Sequence, residues 1–333
     1  MTKNNQKAEF TNSLLAMFIY YVITLLLLPA SLVGYVLWIG KAMVIGRGSG
    51  VSGTAQGPLS ARWLQHRLGI RQDEPSNRLM MVLPGISPLA LWLVFGPTII
   101  AYRLTGYLPK TFRYPFEGEV SMQSEAAARQ TFFDNIVEQY YSDDIQFVSL
   151  GAGFDTRAFR LPKNSRSFEI DTPKTQAIKR EMLKKAGIDS AGIFFAAADF
   201  EKEDWLVKLT DAGFDIGKPA LFLWEGVIMY LNQEAVEDTL HKISTTAKGS
   251  IIAFDYMTTE PLVSQAFYWR YARAGTKAAG EPLTFGIDST PPSRERLAEF
   301  LQSCGLSLKE QQTIGNETEG KHAWGGFAVA IVK

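Results

Sequence analysis

The apolar stretch Gln146-Phe147-Val148-Ser149-Leu150 ends in Gly151-Ala152-Gly153, and Asp155 follows almost at once. That order reads as a buried β-strand feeding a tight turn at its carboxyl end, the edge at which open α/β sheets bind nucleotide-like ligands. Glycine at 151 and 153 permits backbone dihedrals, and a close ligand approach, that a Cβ would block. About 20 residues on, a second strand-like run, Phe168-Glu169-Ile170-Asp171, ends in an acid placed to accept both hydroxyls of a ribose. Glu169 points to the opposite face of that strand, because side chains alternate, and reads as a helix-paired or solvated acid.

The segments around this turn alternate in the manner of an α/β domain. Strands are expected at 146–150, 167–170, 193–198, 220–224 and 250–255, with helices at 125–141, 173–186, 202–209 and 233–247. An irregular insertion to about 282, a helix at 292–303 and late strands at 306–310 and 325–332 complete the set.

Two cofactor classes suit the turn. A dinucleotide site would carry a third glycine where this chain has Thr156, so a pyrophosphate fits poorly. S-adenosylmethionine has no phosphate; it needs a glycine loop for its amino-acid part, an acid for the ribose and a polar, flat site for the adenine. Asp199-Phe200 after the third strand offers an acid and a ring, although such a pair also serves as a helix N-cap beside a core aromatic. Glu225 ends the fourth strand, where it can hold the cofactor's ammonium or cap the next helix.

From about Glu119 to Met257 the chain resembles the leucine carboxyl methyltransferase family, including its bacterial branch of S-adenosylmethionine-dependent methyltransferases. The resemblance is carried by 128–134 (ARQTFFD), 151–157 (GAGFDTR), 168–171 (FEID), 198–200 (ADF), 223–231 (LWEGVIMYL) and 282–288 (PLTFGID), in order and at compatible spacing. It implies a class I methyltransferase-like (Rossmann-like), doubly wound α/β sheet. It implies S-adenosylmethionine as cofactor, bound by Arg129, Gly151, Gly153, Asp171, Asp199, Phe200 and Glu225. The family's Arg-Thr-Arg reads Arg129-Gln130-Thr131 here, so from that block only Arg129 and Asp134 carry over. Arg129 then becomes a bidentate donor for a carboxylate, the cofactor's or the acceptor's. Tyr230 either closes the acceptor pocket or packs on the sheet, and Arg157 ties the turn to a neighbouring acid.

An S-adenosylmethionine enzyme need only align an oxygen with the methyl group and exclude water. A carboxylate acceptor needs no base, since a pKa of roughly 4 leaves it ionised. A hydroxyl acceptor would want one, and the chain has only His66, His241 and His322, of which only His322 suits. The expected substrate is therefore a carboxylate on a small or lipophilic molecule, with hydroxyl methylation, a non-catalytic membrane-bound scaffold and a nicotinamide oxidoreductase as alternatives. No zinc spacing, P-loop or Gly-x-Ser-x-Gly elbow suggests a metal, NTPase or hydrolase chemistry.

The amino-terminal third is of another kind. No charged residue lies between Leu14 and Gly40, more than the roughly 20 apolar residues that cross a bilayer, and Pro29 is expected to kink that helix without ending it. A second uncharged run, 79–102, contains Pro84, Pro88 and Pro97 and reads as a broken, re-entrant or interfacial element as readily as a crossing. Residues 1–104 carry nine Lys and Arg against three acids, a net of +6, and the remainder balances it at −6. Basic residues at 41–78 read as a membrane-side loop, with the Gly/Ser-rich stretch 46–57 flexible within it. These features predict a membrane-anchoring region at 1–104, a catalytic domain at 105–333 facing the cytoplasm, and the lipid bilayer as partner. With no basic patch on the globular part, nucleic acid is excluded as a partner. A single Cys304 rules out an internal disulfide.

Overall fold

The computed structural model describes residues 3–49, 53–84, 86–288, 290–317 and 322–333, with side chains from 13 to 41 and from 55 onward within those ranges. Five helices come first: α1 (Lys3–Leu26), α2 (Leu28–Ser49), α3 (Gly53–Leu68), α4 (Glu74–Val82) and α5 (Pro88–Thr105). There follow α6 (Glu125–Tyr140), β1 (Gln146–Leu150), β2 (Ser167–Asp171), α7 (Pro173–Ala186), β3 (Ile193–Ala197), α8 (Trp205–Asp211) and β4 (Ala220–Trp224). The chain ends with α9 (Gln233–Ser244), β5 (Ile251–Met257), α10 (Glu260–Val263), α11 (Phe267–Ala278), α12 (Ser293–Ser303), β6 (Ser307–Ile314) and β7 (Gly325–Ile331).

The seven strands form one sheet in the order β3-β2-β1-β4-β5-β7-β6. The first five are parallel, and β7 runs antiparallel to both β5 and β6. This is an α/β, class I methyltransferase-like sheet. The chain winds outward from β1 through β2 to β3, then returns to place β4 on the other side of β1, and the crevice at that reversal is where such sheets bind ligands. Every residue of β1 and β4 is buried, as the continuous apolar runs require of central parallel strands. Local chemistry sets the helix ends: Pro173 occupies the first turn of α7 and Gly187, at φ +61°, closes it. Asn232 caps α9 through Ala235 N. Asp204 caps α8 in the same way, which moves that helix's start from the expected 202 to Trp205. The insertion expected to be irregular holds α10 and α11.

The amino-terminal region departs further from expectation. The uncharged run 14–40 is two helices meeting at 57°, with the break at Leu27. Pro29 sits in the first turn of α2, where its missing N–H costs nothing, while its ring would clash with a carbonyl of a continuous helix. In the second run Pro84 falls in the break and Pro88 opens α5, so only Pro97 lies inside a helix, and α5 continues through it for 18 residues. The stretch 41–78 is largely helical; of the segment expected to be flexible, residues 50–52 lie outside those described, as do the side chains of Lys3, Lys7 and Arg47.

Helices α3 and α4 pack onto the α/β domain, against α7 and the turn that follows β1. Leu59, Trp63 and Leu64 of α3, Leu79 and Met80 of α4 and Leu91 and Ile99 of α5 form one apolar cluster with Phe154 after the glycine turn and Met182 and Leu183 of α7. Burying each large side chain contributes roughly 1.5–3 kcal/mol. This cluster crosses the boundary drawn at 104. Helices α1, α2 and α5 form a second layer in which Gly34 meets the backbone of α5: a Cβ there would lie 2.6 Å from Leu93 Cβ and 2.9 Å from Ala90 O.

Candidate active site

A cavity of about 280 Å³ opens at the carboxyl ends of β1, β2 and β4. Gly151 (φ +63°) and Gly153 (φ +44°) form its floor. A Cβ on Gly151 would stand 2.4 Å from Val227 Cγ2, and one on Gly153 3.3 Å from Ala55 Cβ in α3. Asp171 ends β2 and folds back on the turn, accepting from Gly153 N at 2.6 Å and Thr172 N at 2.7 Å. Burial pushes its pKa up, against the pull of those hydrogen bonds. Oδ1 also faces the Thr172 hydroxyl at 3.3 Å, whereas Oδ2, with Gly153 N as its one donor, keeps acceptor capacity for a further hydroxyl. Asp199 receives Lys202 Nζ at 2.6 Å and Glu201 N at 3.1 Å. Burial works to raise its pKa, but these donors bring it below the usual carboxylate value. Phe200 lies beside it, its ring tilted against Trp205 and Trp224.

Glu225 directly follows β4 and is the hub of a buried charge network. Its Oε2 accepts from Arg157 Nη1 and, at 2.9 Å, from Arg62 Nη2, which also reaches Asp155 Oδ2 at 3.3 Å. Arg157 also pairs with Asp155 and, through Nε at 2.6 Å, with Asp134. Asp134 in turn holds Arg71 at 2.8 Å, Arg160 at 3.1 Å and the Tyr114 hydroxyl at 2.7 Å. Burial opposes the charge on Asp134 and Asp155, yet the surrounding guanidinium groups hold both well below the carboxylate range. Asp255 differs. Burial pushes its pKa up to about 6, although Arg129 Nη1 lies 3.3 Å away and Gly226 N donates to it at 2.6 Å. Three buried atoms of cavity-lining residues have no hydrogen-bond partner among the described residues: Arg62 Nε, Arg129 Nε and Glu225 Oε1.

Every residue expected at the site lines this cavity: Arg129, Gly151, Gly153, Asp171, Asp199, Phe200, Glu225 and Tyr230. Arg129 sits 3.7 Å from Glu225 Oε1 and 3.4 Å from Glu125. Glu169 is buried against Lys179 of α7 at 2.7 Å, the helix-paired reading. None of the three histidines lines the cavity. His241 and His322 are exposed. His66, expected in a membrane-side loop, lies on α3, with Nδ1 accepting from Asp73 N and Nε2 beside Glu74. Arg62, Arg71 and Asp73 were not foreseen. Arg62 stands between apolar residues on α3, and Arg71 and Asp73 lie in the turn before α4; neither setting gives a signal in sequence that distinguishes a buried ion pair from a solvated face. Only the missing basic balance of the catalytic part, at −6, points to arginines supplied from elsewhere.

Residues 113–244 match the family model of leucine carboxyl methyltransferase. A Mycobacteroides abscessus protein provisionally named an S-adenosyl-L-methionine-dependent methyltransferase is 35% identical over 154 residues, covering 44% of this chain and 49% of that one. A Mycobacterium marinum protein of the same provisional name is 33% identical over 204 residues, covering 59% of this chain and 64% of that one. The chain thus spans about half to two thirds of the curated relatives it matches. A crystal structure of a DUF574 family protein from Streptomyces avermitilis overlays with a TM-score of 0.46 at 14% identity, covering 82% of this chain and 97% of that one.

Proposed function

We propose that this chain is a membrane-anchored S-adenosylmethionine-dependent O-methyltransferase whose acceptor is a carboxylate on a small or lipophilic molecule. The observation that carries the proposal is one cavity at the switch point of the sheet that gathers a positive-φ glycine turn, three strand-end acids and an aromatic ring. Glu225 Oε1, buried and without a hydrogen-bond donor, suits the cofactor's ammonium, and Asp171 suits the ribose hydroxyls. Asp199 and Phe200 suit the adenine. When bound, the cofactor supplies an activated methyl group on a sulfonium.

The remaining work is alignment. Arg129, held by acids on two sides, presents a rigid planar donor to the cavity, and such a fork matches a carboxylate. Tyr230 lines the same cavity and is assigned to the acceptor side. The absence of histidine from the lining favours an acceptor that arrives ionised. Relatives named for the same cofactor, and a matching domain named for carboxyl methylation, support this reading.

The membrane part of the proposal rests on α1, α2 and α5. Leu25, Leu26 and Val36 expose about seven tenths of their surface, and Phe18 nearly as much. Helix α5 is long and apolar enough to cross a bilayer, and the bent α1–α2 pair qualifies if taken as one broken span. The catalytic domain would face the cytoplasm, where the cofactor is made. Incubating the full-length protein with methyl-labelled cofactor and a membrane extract tests the acceptor: a methyl ester loses its label as methanol in mild alkali. Labelled product that survives alkali would overturn the carboxylate reading in favour of a hydroxyl.

A further inference from the structure

Helix α11 turns the usual pattern of a surface helix inside out. With 3.6 residues per turn, Phe267, Tyr271, Ala274 and Ala278 share one face. That face points outward: Phe267 is 82% and Tyr271 70% exposed, and Val263 of α10 beside them is 70% exposed. Phe267 and Tyr271 stack on each other, with ring centroids 6.4 Å apart. The opposite side is the anchored one. Trp269 packs on Trp324, and Arg273 donates to Pro261 O at 2.6 Å and Ser264 O at 2.8 Å, which fixes α11 against α10. Exposed Arg270 and Lys277 border the apolar face along one edge, and the helix contains no acid.

Twelve residues, about 18 Å of helix, are too short to span a bilayer but suit one lying in its interface. Aromatic side chains beside cations are the composition that such a position selects, and the cationic rim complements anionic headgroups. The place of the helix agrees. Glu281, three residues past α11, lines the same cavity as Ala55 and Pro58 of α3, and α3 begins four residues after α2 ends. Residues that continue the chain from the apolar α1–α2 layer and from α11 therefore line one and the same cavity.

We propose that α10–α11 is a second membrane contact, seated on an anionic lipid surface through Val263, Phe267 and Tyr271, so that the cavity opens at the bilayer surface between two lipid-binding elements. This rests on the membrane reading above. It implies that a lipophilic acid reaches Arg129 from the interface without passing through bulk water.

The test uses full-length protein reconstituted in vesicles of phosphatidylcholine and phosphatidylglycerol. An environment-sensitive fluorophore is placed at Phe267→Cys or, separately, Tyr271→Cys, with Leu25→Cys on α1 as reference; the native Cys304 is buried. Nitroxide-labelled lipid should extinguish most of the fluorescence at 25, 267 and 271, and the effect at 267 and 271 should weaken in phosphatidylcholine alone. Quenching at 25 but not at 267 or 271 overturns this inference and leaves the anchor standing. A blue-shifted, unquenched signal at 267 assigns the face to a protein partner or a second copy instead, and also overturns it. No quenching at any position removes both the inference and the membrane reading.

Discussion

Helices α1–α2 and helices α3–α4 are neighbours in sequence and opposites in burial. The first pair carries no charge from Leu14 to Gly40 yet exposes Leu25 at 67% and Leu26 at 73%, whereas the second, with the turn between its helices, is basic yet buries Arg62 and Arg71 to 2% exposure. Hydropathy alone would exchange them. The difference teaches that a buried arginine follows its counter-charges: the sheet edge concentrates Asp134, Asp155 and Glu225, and burying them is tolerable only with guanidinium partners. The net +6 of the first 104 residues is thus in part a complement to the site.

The largest consequence concerns truncation. A chain begun at Gly53 keeps α3 and α4 and should still fold in detergent. A chain begun at Tyr107 loses Arg62 and Arg71 together with the apolar cluster around Trp63. Breaking a buried pair costs about 3–5 kcal/mol, and two such losses approach the whole stability of a domain, about 5–15 kcal/mol. Circular dichroism and size exclusion should show the first chain folded and the second aggregated; a folded, monodisperse second chain would break the comparison. Within the intact protein, Arg157→Ala should cost about 3–5 kcal/mol in denaturant unfolding, because it strips a partner from three buried acids at once.

The same network fixes a pH dependence. Asp255 rises from 3.8 to about 6 and Glu169 from 4.5 to about 7, both through burial, so the folded protein holds protons there that the unfolded chain has released. Their stabilising contribution is present at pH values below the unfolded pKa and is lost as pH rises through about 6 and about 7. For Asp255 the shift corresponds to roughly 3 kcal/mol. Asp134 and Asp155, depressed in the folded state, act oppositely and only as pH falls below the ordinary carboxylate range. Melting temperature should therefore fall between about pH 4 and 7, and Asp255→Asn should flatten the part of that fall below about pH 6. An unchanged slope would remove Asp255 from the account.

A smaller effect sharpens the apolar side of the comparison. Gly34→Val forces a Cβ into Leu93 and the α5 backbone and should cost about 1–3 kcal/mol by overpacking, read as a lower melting temperature in detergent. Cofactor affinity should be unchanged, since Gly34 lies outside the cavity lining.

Much of the sheet was legible because central strands and their turns obey local rules. The run from Gln146 to Asp155, the acid at 171 and the helix at 173–186 each carry their own signal in glycine, proline or apolar spacing. Arg62 carried none, because its partners lie 93 and 163 residues away and pairing across that distance leaves no local mark. Helix α5 was obscured by Pro97, whose cost depends on packing that a sequence does not display. The helical insertion was missed because α11 has its apolar residues facing outward, against the pattern used to recognise a core-facing helix.

The central claim is that the cavity at the sheet's switch point holds S-adenosylmethionine through strand-end acids, Asp171 first among them. Calorimetric titration of the full-length protein in detergent should give binding near micromolar, about −8 kcal/mol. Asp171→Ala should weaken it by about 1.5–3 kcal/mol, roughly 10- to 150-fold, by leaving ribose hydroxyls without a charged acceptor. Unchanged affinity in Asp171→Ala, or tighter binding of a nicotinamide dinucleotide than of S-adenosylmethionine, would contradict it.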